Sequence, residues 1–147
     1  MVAFTKANGF VEHMAEKVHN LGSDTLTIAL SNTAPSAETS DPTVLTANCI
    51  LANVTEIAYT NLSTRVITTS ASAQTSGTYK LTLTDLVLTA SGGAVATFRY
   101  VYVYNDTPTS PADPIIGYYD YGSALTLADT ETLTIDFDGT NGMLTVA

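Results

Sequence analysis

Basic side chains are scarce in this chain of 147 residues, which carries five of them against fourteen acidic ones. The formal net charge is −9 at pH 7. Proteins that bind nucleic acid neutralise phosphates with a patch of lysine and arginine, and five residues are too few for such a patch. Binding to an anionic membrane surface is disfavoured for the same reason. The composition therefore predicts neither nucleic acid nor membrane as a partner, and it favours docking onto a basic protein surface.

Cysteine is nearly absent, since Cys49 is the single one and an internal disulfide is excluded. We interpret Cys49 as a small buried apolar residue, because free cysteine usually behaves in this way. Long apolar runs are also missing, and no stretch approaches the roughly 18 residues of a membrane helix. The N-terminus lacks a basic region followed by an apolar run, so we expect no secretion signal.

Charged residues are few, at 13% of the chain, compared with about 25% in average globular proteins. Serine and threonine provide the polar surface instead. Because threonine is β-branched and fits a pleated strand, this composition favours an all-β fold. The length suits one domain, residues 1–147, with its own hydrophobic core.

Helical periodicity is confined to residues 5–21. The apolar residues there recur at spacings of three and four, which is typical of one stripe of an amphipathic helix. They are Ala7, Phe10, Val11, Met14, Ala15, Val18 and Leu21. Thr5 or Asn8 is the expected N-cap, and Gly22 is the expected glycine after the last turn.

From residue 24 to residue 147 the sequence is dominated by apolar–polar alternation with a period of two, which predicts β-strands. The predicted strands cover residues 24–31, 65–70, 79–88, 96–104, 115–121, 132–138 and 143–146. The alternation changes parity after Asp85, which indicates a bulge or a break into two strands. We therefore predict a mainly β fold, an antiparallel β-sandwich of about seven to eight strands preceded by the N-terminal helix.

Three segments between these strands have weaker signals. Residues 70–77 are small and polar, and we interpret them as a turn. Residues 32–43 contain two prolines and are expected to form a long surface loop. Residues 44–62 are compatible either with one helical turn or with an irregular excursion.

Catalytic and cofactor-binding constellations are not recognisable in this sequence. His13 and His19 are six residues apart, so a continuous helix would place them on different faces, and we interpret both as solvent-exposed rather than metal ligands. Asp136 and Asp138 lack the glutamate that completes a calcium loop. Neither a Ser-His-Asp pattern nor a phosphate-binding glycine loop is present. We therefore expect that the chain is not an enzyme and needs no cofactor and no metal.

Tyrosines cluster on the predicted strands 96–104 and 115–121. Cross-strand aromatic packing in the core is one interpretation. A protein interface is the other, because tyrosine is enriched at interfaces. Arg99 is a lone cation on an apolar strand, so we expect it to pair with a carboxylate or to lie at an interface. The candidate interface residues are Tyr100, Tyr102, Tyr118, Tyr119 and Arg99, with the N-terminal helix as a second candidate surface.

Three stretches of the sequence carry a family resemblance. They read FVEHMAEKVHNLGSDTLTIALSNTAPSA near the N-terminus, QTSGTYKLTLTDLVLTASGGAVATFRYVYVYND in the middle and IIGYYDYGSALTLADTETLTIDFDGTNGMLTV at the end. With these motifs the chain resembles a family of small virion structural proteins of tailed bacteriophages. The likeness covers nearly the whole chain and is weakest in residues 36–70. The shared motifs are structural rather than catalytic.

The resemblance implies a place in the virion, assembled in the cytoplasm of a bacterial host. The leading hypothesis is a capsid decoration, or cement, protein that clamps neighbouring capsomers. The resemblance then implies a homo-oligomer, with a trimer favoured, and the major capsid protein or other virion proteins as partners.

Two further hypotheses stay open. One is a tail or head–tail connector component, for which we expect a long hairpin or terminal arm that adds to a neighbour's sheet; residues 32–43 are the candidate segment. The other is a carbohydrate- or host-binding module built on Tyr119, Asp120 and Tyr121.

Overall fold

The computed structural model describes residues 2–35 and 49–147. An α-helix, α1, spans Gly9–Ala15, and a short 3-10 helix spans Leu51–Asn53. In chain order the strands are β1 (Thr5–Lys6), β2 (Leu26–Ser31), β3 (Val66–Thr75), β4 (Thr78–Thr84), β5 (Leu86–Thr89), β6 (Phe98–Asn105), β7 (Ile115–Leu125), β8 (Thr132–Ile135) and β9 (Leu144–Val146). The prediction of a mainly β, antiparallel fold with one N-terminal helix is confirmed.

The strands form a seven-stranded antiparallel sheet in the order β1-β7-β6-β2-β3-β4-β9, together with a two-stranded sheet, β5–β8. Strand β2 is buried along its whole length, and β6 is buried except at Arg99. A strand buried on both faces requires apolar residues at successive positions, and residues 98–104 have this composition apart from Arg99. The core therefore lies on both sides of the β2–β6 pair.

The break after Asp85 is confirmed, because β4 belongs to the large sheet and β5 to the small one. The carboxylate of Asp85 accepts a hydrogen bond from the backbone N–H of Phe137 at 3.0 Å. This bond ties the point where the chain changes sheets to the segment that follows β8. The change of parity in the sequence thus marks the point at which the chain passes from the large sheet to the small one.

The predicted helix over residues 5–21 is wrong in extent, since α1 ends at Ala15 and residues 5 and 6 form strand β1. Lys17 adopts a left-handed backbone conformation with φ 65°. The N–H of Lys17 bonds to the carbonyl of Met14, and that of Val18 to the carbonyl of His13. This pair of bonds is a Schellman motif, in which Lys17 takes the position predicted for Gly22. The apolar spacing continues beyond Ala15 because Leu21 is still buried, although no longer by a helix.

Strand β3 is longer than predicted, because residues 70–75 continue it and only Ser76 and Gly77 form the turn. Both turn residues have positive φ, 53° and 86°, as the tightest hairpin connections require. Residues 70–75 are exposed on both faces of the hairpin. With neither face buried, no apolar alternation is needed, and the sequence gives no strand signal there.

The two ambiguous regions are only partly described. Residues 49–62 are irregular apart from the 3-10 turn, which agrees with one of the two interpretations. Most of the predicted loop 32–43 lies outside the described residues. In the described part of the chain, no helix is long and apolar enough to cross a membrane.

Candidate functional site

Three of the predicted interface tyrosines, two on β6 and one on β7, pack beside one another in the large sheet. Tyr102 pairs with Tyr118 on β7 and with Ala29 on β2. The ring of Tyr102 lies 6.4 Å from that of Tyr100 and 6.0 Å from that of Tyr118. Tyr102 is fully buried, and its hydroxyl donates a hydrogen bond of 2.7 Å to the carbonyl of Thr33. Tyr118 is only partly buried. These three rings therefore form an aromatic part of the core, and Tyr118 is the one that reaches the surface.

Tyr119 lies on the opposite face of the sheet, because it neighbours Tyr118 in the same strand. Its ring is 5.2 Å from that of Phe4 and 6.2 Å from that of Phe137. Burial raises the pKa of its hydroxyl well above the ordinary value. Tyr100, Tyr102 and Tyr119 are therefore all buried within this chain, and their part in an interface stays a prediction.

Arg99 and Asp120 form the ion pair that was one of the two expectations for Arg99. The guanidinium donates from Nε to Oδ1 at 2.8 Å and from Nη2 to Oδ2 at 2.9 Å, a bidentate geometry. The backbone N–H of Gly122 also donates to Asp120. The hydrogen bonds from Arg99 lower the pKa of the Asp120 carboxyl below its ordinary value. Both side chains are more than a third exposed, so the pair lies on a surface that a partner could contact.

The position of Arg99 follows from an irregularity between β6 and β7. Their register shifts between Phe98 and Tyr100, where Phe98 pairs with Leu125 and Tyr100 with Asp120. The extra β7 residues form a bulge that contains Gly122 with φ 89°. Strand β7 therefore continues beyond residue 121, where the predicted strand ended, to Leu125. Asp120 lies next to this bulge and pairs with Arg99.

His13 and His19 come together in the structure, contrary to the prediction that they lie on different faces in solvent. Their ring centroids are 5.8 Å apart, and both side chains are buried. Asn105 donates from Nδ2 to Nδ1 of His19 at 3.1 Å and to the carboxylate of Asp24 at 2.6 Å. Since Nδ1 of His19 accepts, the proton of the neutral ring belongs on Nε2.

The electrostatics of this pair keep it neutral. Burial and, to a smaller extent, the neighbouring His13 together lower the pKa of His19 to about 4. Burial also lowers the pKa of His13. Nδ1 of His13 and Nε2 of His19 have no hydrogen-bond partner among the described residues. No group of three or more metal-ligating side chains occurs in the described residues.

Cys49 is completely buried, which confirms its interpretation as a small core residue. Burial raises the pKa of its thiol to about 11. The thiolate, the reactive form, is therefore negligible near neutral pH.

An apolar pocket of about 560 Å³ lies between the two sheets. Its lining includes Val101 and Tyr119 from the large sheet and Ile135 from the small one, with Tyr121 at the half-exposed rim. The carbohydrate-binding hypothesis required Tyr119, Asp120 and Tyr121 on one exposed surface. The structure does not bring them together in that way, because Tyr119 is buried and Asp120 is bound by Arg99.

The extension of β3 through residues 70–75 is the surface feature that the sequence did not predict. Eight successive residues, Ser70–Gly77, are exposed. Lys80 is the only charged residue in the hairpin, Val66–Thr84. The turn pair Ser76-Gly77, flanked by residues of high β propensity, was the available signal.

Comparison of this chain with protein-family models, with curated proteins and with solved structures found no match.

Proposed function

We propose that this chain is a structural protein of a tailed-phage virion, which binds other protein surfaces and catalyses no reaction. Capsid decoration is the first candidate role, with the major capsid protein or other virion proteins as partners, a trimer as the favoured homo-oligomer, and assembly in the cytoplasm of the host. The sequence resemblance supports the virion, and the chemistry of the described surface supports a role in assembly.

The observation that carries the proposal is the β3–β4 hairpin. It is a nearly uncharged two-stranded element whose tip, residues 70–77, is exposed, whereas Leu81 and Leu83 of β4 are buried. It belongs to a sheet whose central strands are buried on both faces. An exposed hairpin of this length is an aggregation hazard unless a partner or a device protects it. The presence of this exposed, nearly uncharged element in a strongly acidic chain is consistent with a contact made during assembly.

The described titratable residues support the same conclusion. Arg99 and Asp120 neutralise each other, as do Arg65 and Glu56. Arg65 also stacks on the ring of Tyr59, 3.7 Å from its centroid, and donates to the carbonyl of Ile28. These ion pairs and the contacts of Arg65 hold loops and strands in place, so the four charged side chains stabilise the fold.

In the decoration role the mechanism is the sum of many modest contacts. Each subunit would contribute a small interface, and symmetry would repeat it over the shell. Simultaneous engagement by the copies of a trimer converts weak single contacts into strong binding.

A tail or head–tail connector component is the second candidate, and one specific observation favours it. That hypothesis required a long hairpin or arm able to add to a neighbouring sheet, and the β3–β4 hairpin has this form. The expected candidate segment, residues 32–43, lies mostly outside the described residues.

The mass of the purified protein by light scattering, with and without expanded empty capsids, separates these roles. A trimer that co-sediments with capsids at near capsomer stoichiometry supports decoration. Rings of six or twelve subunits, or tubes, that ignore capsids support the tail or connector role. A chain that binds neither capsids nor tails contradicts the virion proposal.

Tyr118 and Arg99 remain the candidate contact residues, because both are partly exposed. We expect Tyr118→Ala and Arg99→Ala to weaken co-sedimentation with particles while the fold is retained. Tyr121→Ala is the matched control, since Tyr121 is on the same strand and is 47% exposed. Unchanged binding by both variants would remove this patch from the interface.

A further inference from the structure

Strand β3 has a long open edge. Strand β2 pairs with it only through Leu26↔Ile67 and Thr27↔Val66. From Thr68 to Thr75, β3 pairs with β4 on one side, and no strand among the described residues pairs with its other side. The backbone N–H and C=O groups directed to that side form a template for another strand.

This edge has one of the devices that usually protect edges, a bulge between Thr69 and Ala71, and it lacks the others. Natural sheets end in very short strands, in charged residues or in prolines. The outer strands β1 and β9 follow this rule, with two and three residues. The open segment of β3 reads TTSASAQT, eight residues without a charge or a proline.

We propose that a second copy of this chain pairs with the open edge of β3, antiparallel and about a two-fold axis, so that two large sheets become continuous. Two arguments select a second copy. The open segment of β3 matches itself in length. The outer strands β1 and β9 have two and three residues, and the part of β7 that β1 leaves unpaired contains Asp120 and the irregularity at Gly122. The open segment of β3 also has no charge, so that two copies, each with a net charge of −9, can approach there without opposing like charges.

The hairpin is already ordered for such pairing. On its inner face Ser72 Oγ lies 2.9 Å from the hydroxyl of Tyr79, and Gln74 accepts a hydrogen bond from the N–H of Gly77 at 3.1 Å. Gly22 lies against the same face, where an added Cβ would be 3.0 Å from Ser72 Oγ. The inner face is therefore partly covered, while the edge and the outer face are exposed. A preformed edge binds without the entropy loss of ordering a loop.

This pairing rests on the proposed assembly role but is tested in solution without particles. The probe is the full-length protein over a wide concentration range, with mass measured by light scattering and amide exchange measured on residues 68–75. We expect the mass to double at high concentration, to a dimer of single chains or to a pair of trimers where the trimer forms, and we expect protection of these amides to rise with the paired fraction. Protection at all concentrations in a monomer would mean that another part of the same chain covers the edge, which overturns the proposal.

Substitutions that place charges of one sign on the edge of β3 test the pairing more directly. Ala71 and Thr75 pair with the uncharged residues Thr82 and Thr78, and both lie diagonally across from Lys80, the partner of Ala73. Ala71→Glu with Thr75→Glu therefore adds no like-charge contact within the hairpin, whereas it adds repulsion between copies. We expect this variant to raise the dissociation constant roughly tenfold. Ala71→Lys with Thr75→Lys should do the same, and a mixture of the two variants should associate at least as well as the unmodified protein. Failure of the mixture to associate overturns the pairing.

The matched control is Val87→Glu with Thr132→Glu, which adds two charges to the exposed surface of the small sheet and should leave association unchanged. Loss of association in this control would attribute the effect to net charge and overturn the proposal.

A cysteine placed at the open edge of β3 tests the pairing and the virion role in one experiment. Failure of the pairing and failure of the virion role give different results. Ala73→Cys should form disulfides between copies, whereas Val87→Cys should not; Cys49 stays in place because it is fully buried. Particles that contain the protein but show no Ala73→Cys cross-link overturn the pairing and leave the virion role intact. Cross-linking in solution by a protein that never enters particles supports the pairing and contradicts the virion role.

Discussion

The rings of His13 and His19 lie 5.8 Å apart in the interior, although a continuous helix would have directed them to different sides. The left-handed residue Lys17 ends the helix and returns the chain toward it. Phe10 then packs on His19 at 5.0 Å. Two basic side chains are thereby buried beside each other in a chain that has only five lysines and arginines.

This burial predicts that acid destabilises the protein through His19. Its pKa falls from 6.5 to about 4 on folding, so the unfolded chain binds the proton more readily. The stabilisation is complete above pH 6.5 and is lost as the pH falls toward 4. That interval corresponds to roughly 3 kcal/mol of unfolding free energy. Urea unfolding between pH 4 and 7.5 measures it.

His19→Gln is the control for this pH effect, because it removes the titrating ring and keeps a polar side chain near Asn105. Between pH 6.5 and 4 its unfolding free energy should vary less than that of the unmodified protein. Equal slopes for the two proteins would show that other groups cause the acid sensitivity.

Tyr102 is predicted to contribute to stability rather than to a direct interface. Tyr102→Phe removes the hydrogen bond to the Thr33 carbonyl and should cost about 1 kcal/mol. Tyr102→Ala also empties core volume and should cost about 3–5 kcal/mol. Denaturant unfolding measures both, with the exposed Tyr121→Ala expected within about 0.5 kcal/mol of the unmodified protein. A stable Tyr102→Ala protein would contradict the buried position.

Gly117 is predicted to hold the N-terminal strand in place by lacking a side chain. A Cβ at this position would overlap the ring of Phe4 and the carbonyl oxygen of Thr5. Gly117→Ala should therefore detach β1, expose the Ala7 amide that bonds to Ile116, and cost about 1–3 kcal/mol. Amide exchange and limited proteolysis of residues 2–8 measure this effect. Gly139→Ala, with nothing within 4 Å, should change neither readout.

The Ser76-Gly77 turn should respond to substitutions through backbone conformation alone. An added Cβ at Gly77 meets nothing within 4 Å, but its φ is 86°, so Gly77→Ala should cost about 1–2 kcal/mol. Gly139→Ala again isolates the effect, because its site is equally open and its φ is not positive. Ser76→Asn should instead stabilise the hairpin, since Asn-Gly is a preferred turn pair. Thermal unfolding measures both the loss of stability in Gly77→Ala and the gain in Ser76→Asn. A Gly77→Ala protein as stable as the unmodified one would contradict the turn geometry.

Some features of the candidate site were predictable because they depend on near neighbours in the sequence. A lone arginine on an apolar strand needs a carboxylate, and Asp120 supplies it. A free cysteine in a chain without disulfides is usually a core residue, and Cys49 is one. The choice between core and interface for the tyrosines was open, because alternation shows which residues share a face but not what covers that face.

Other features depended on signals too weak to detect in one sequence. The end of α1 at Ala15 uses a left-handed lysine where glycine is usual, and the apolar spacing beyond it suggested a longer helix. Residues 70–75 of β3 bury neither face, so their strand conformation has no apolar pattern. The hairpin is defined by its turn and by its pairing with β4.

By itself, the sequence determined the β class, the presence of a helix near the N-terminus and an interruption of the strand pattern after Asp85. These follow from composition and from periodicity along the chain, which are local quantities. Only the tertiary structure decided that His13 meets His19, that Tyr102 is buried whereas Tyr118 reaches the surface, and that β2 leaves most of β3 unpaired. Burial and pairing depend on segments far apart in the chain, so the same local pattern is compatible with either outcome until the sheets pack.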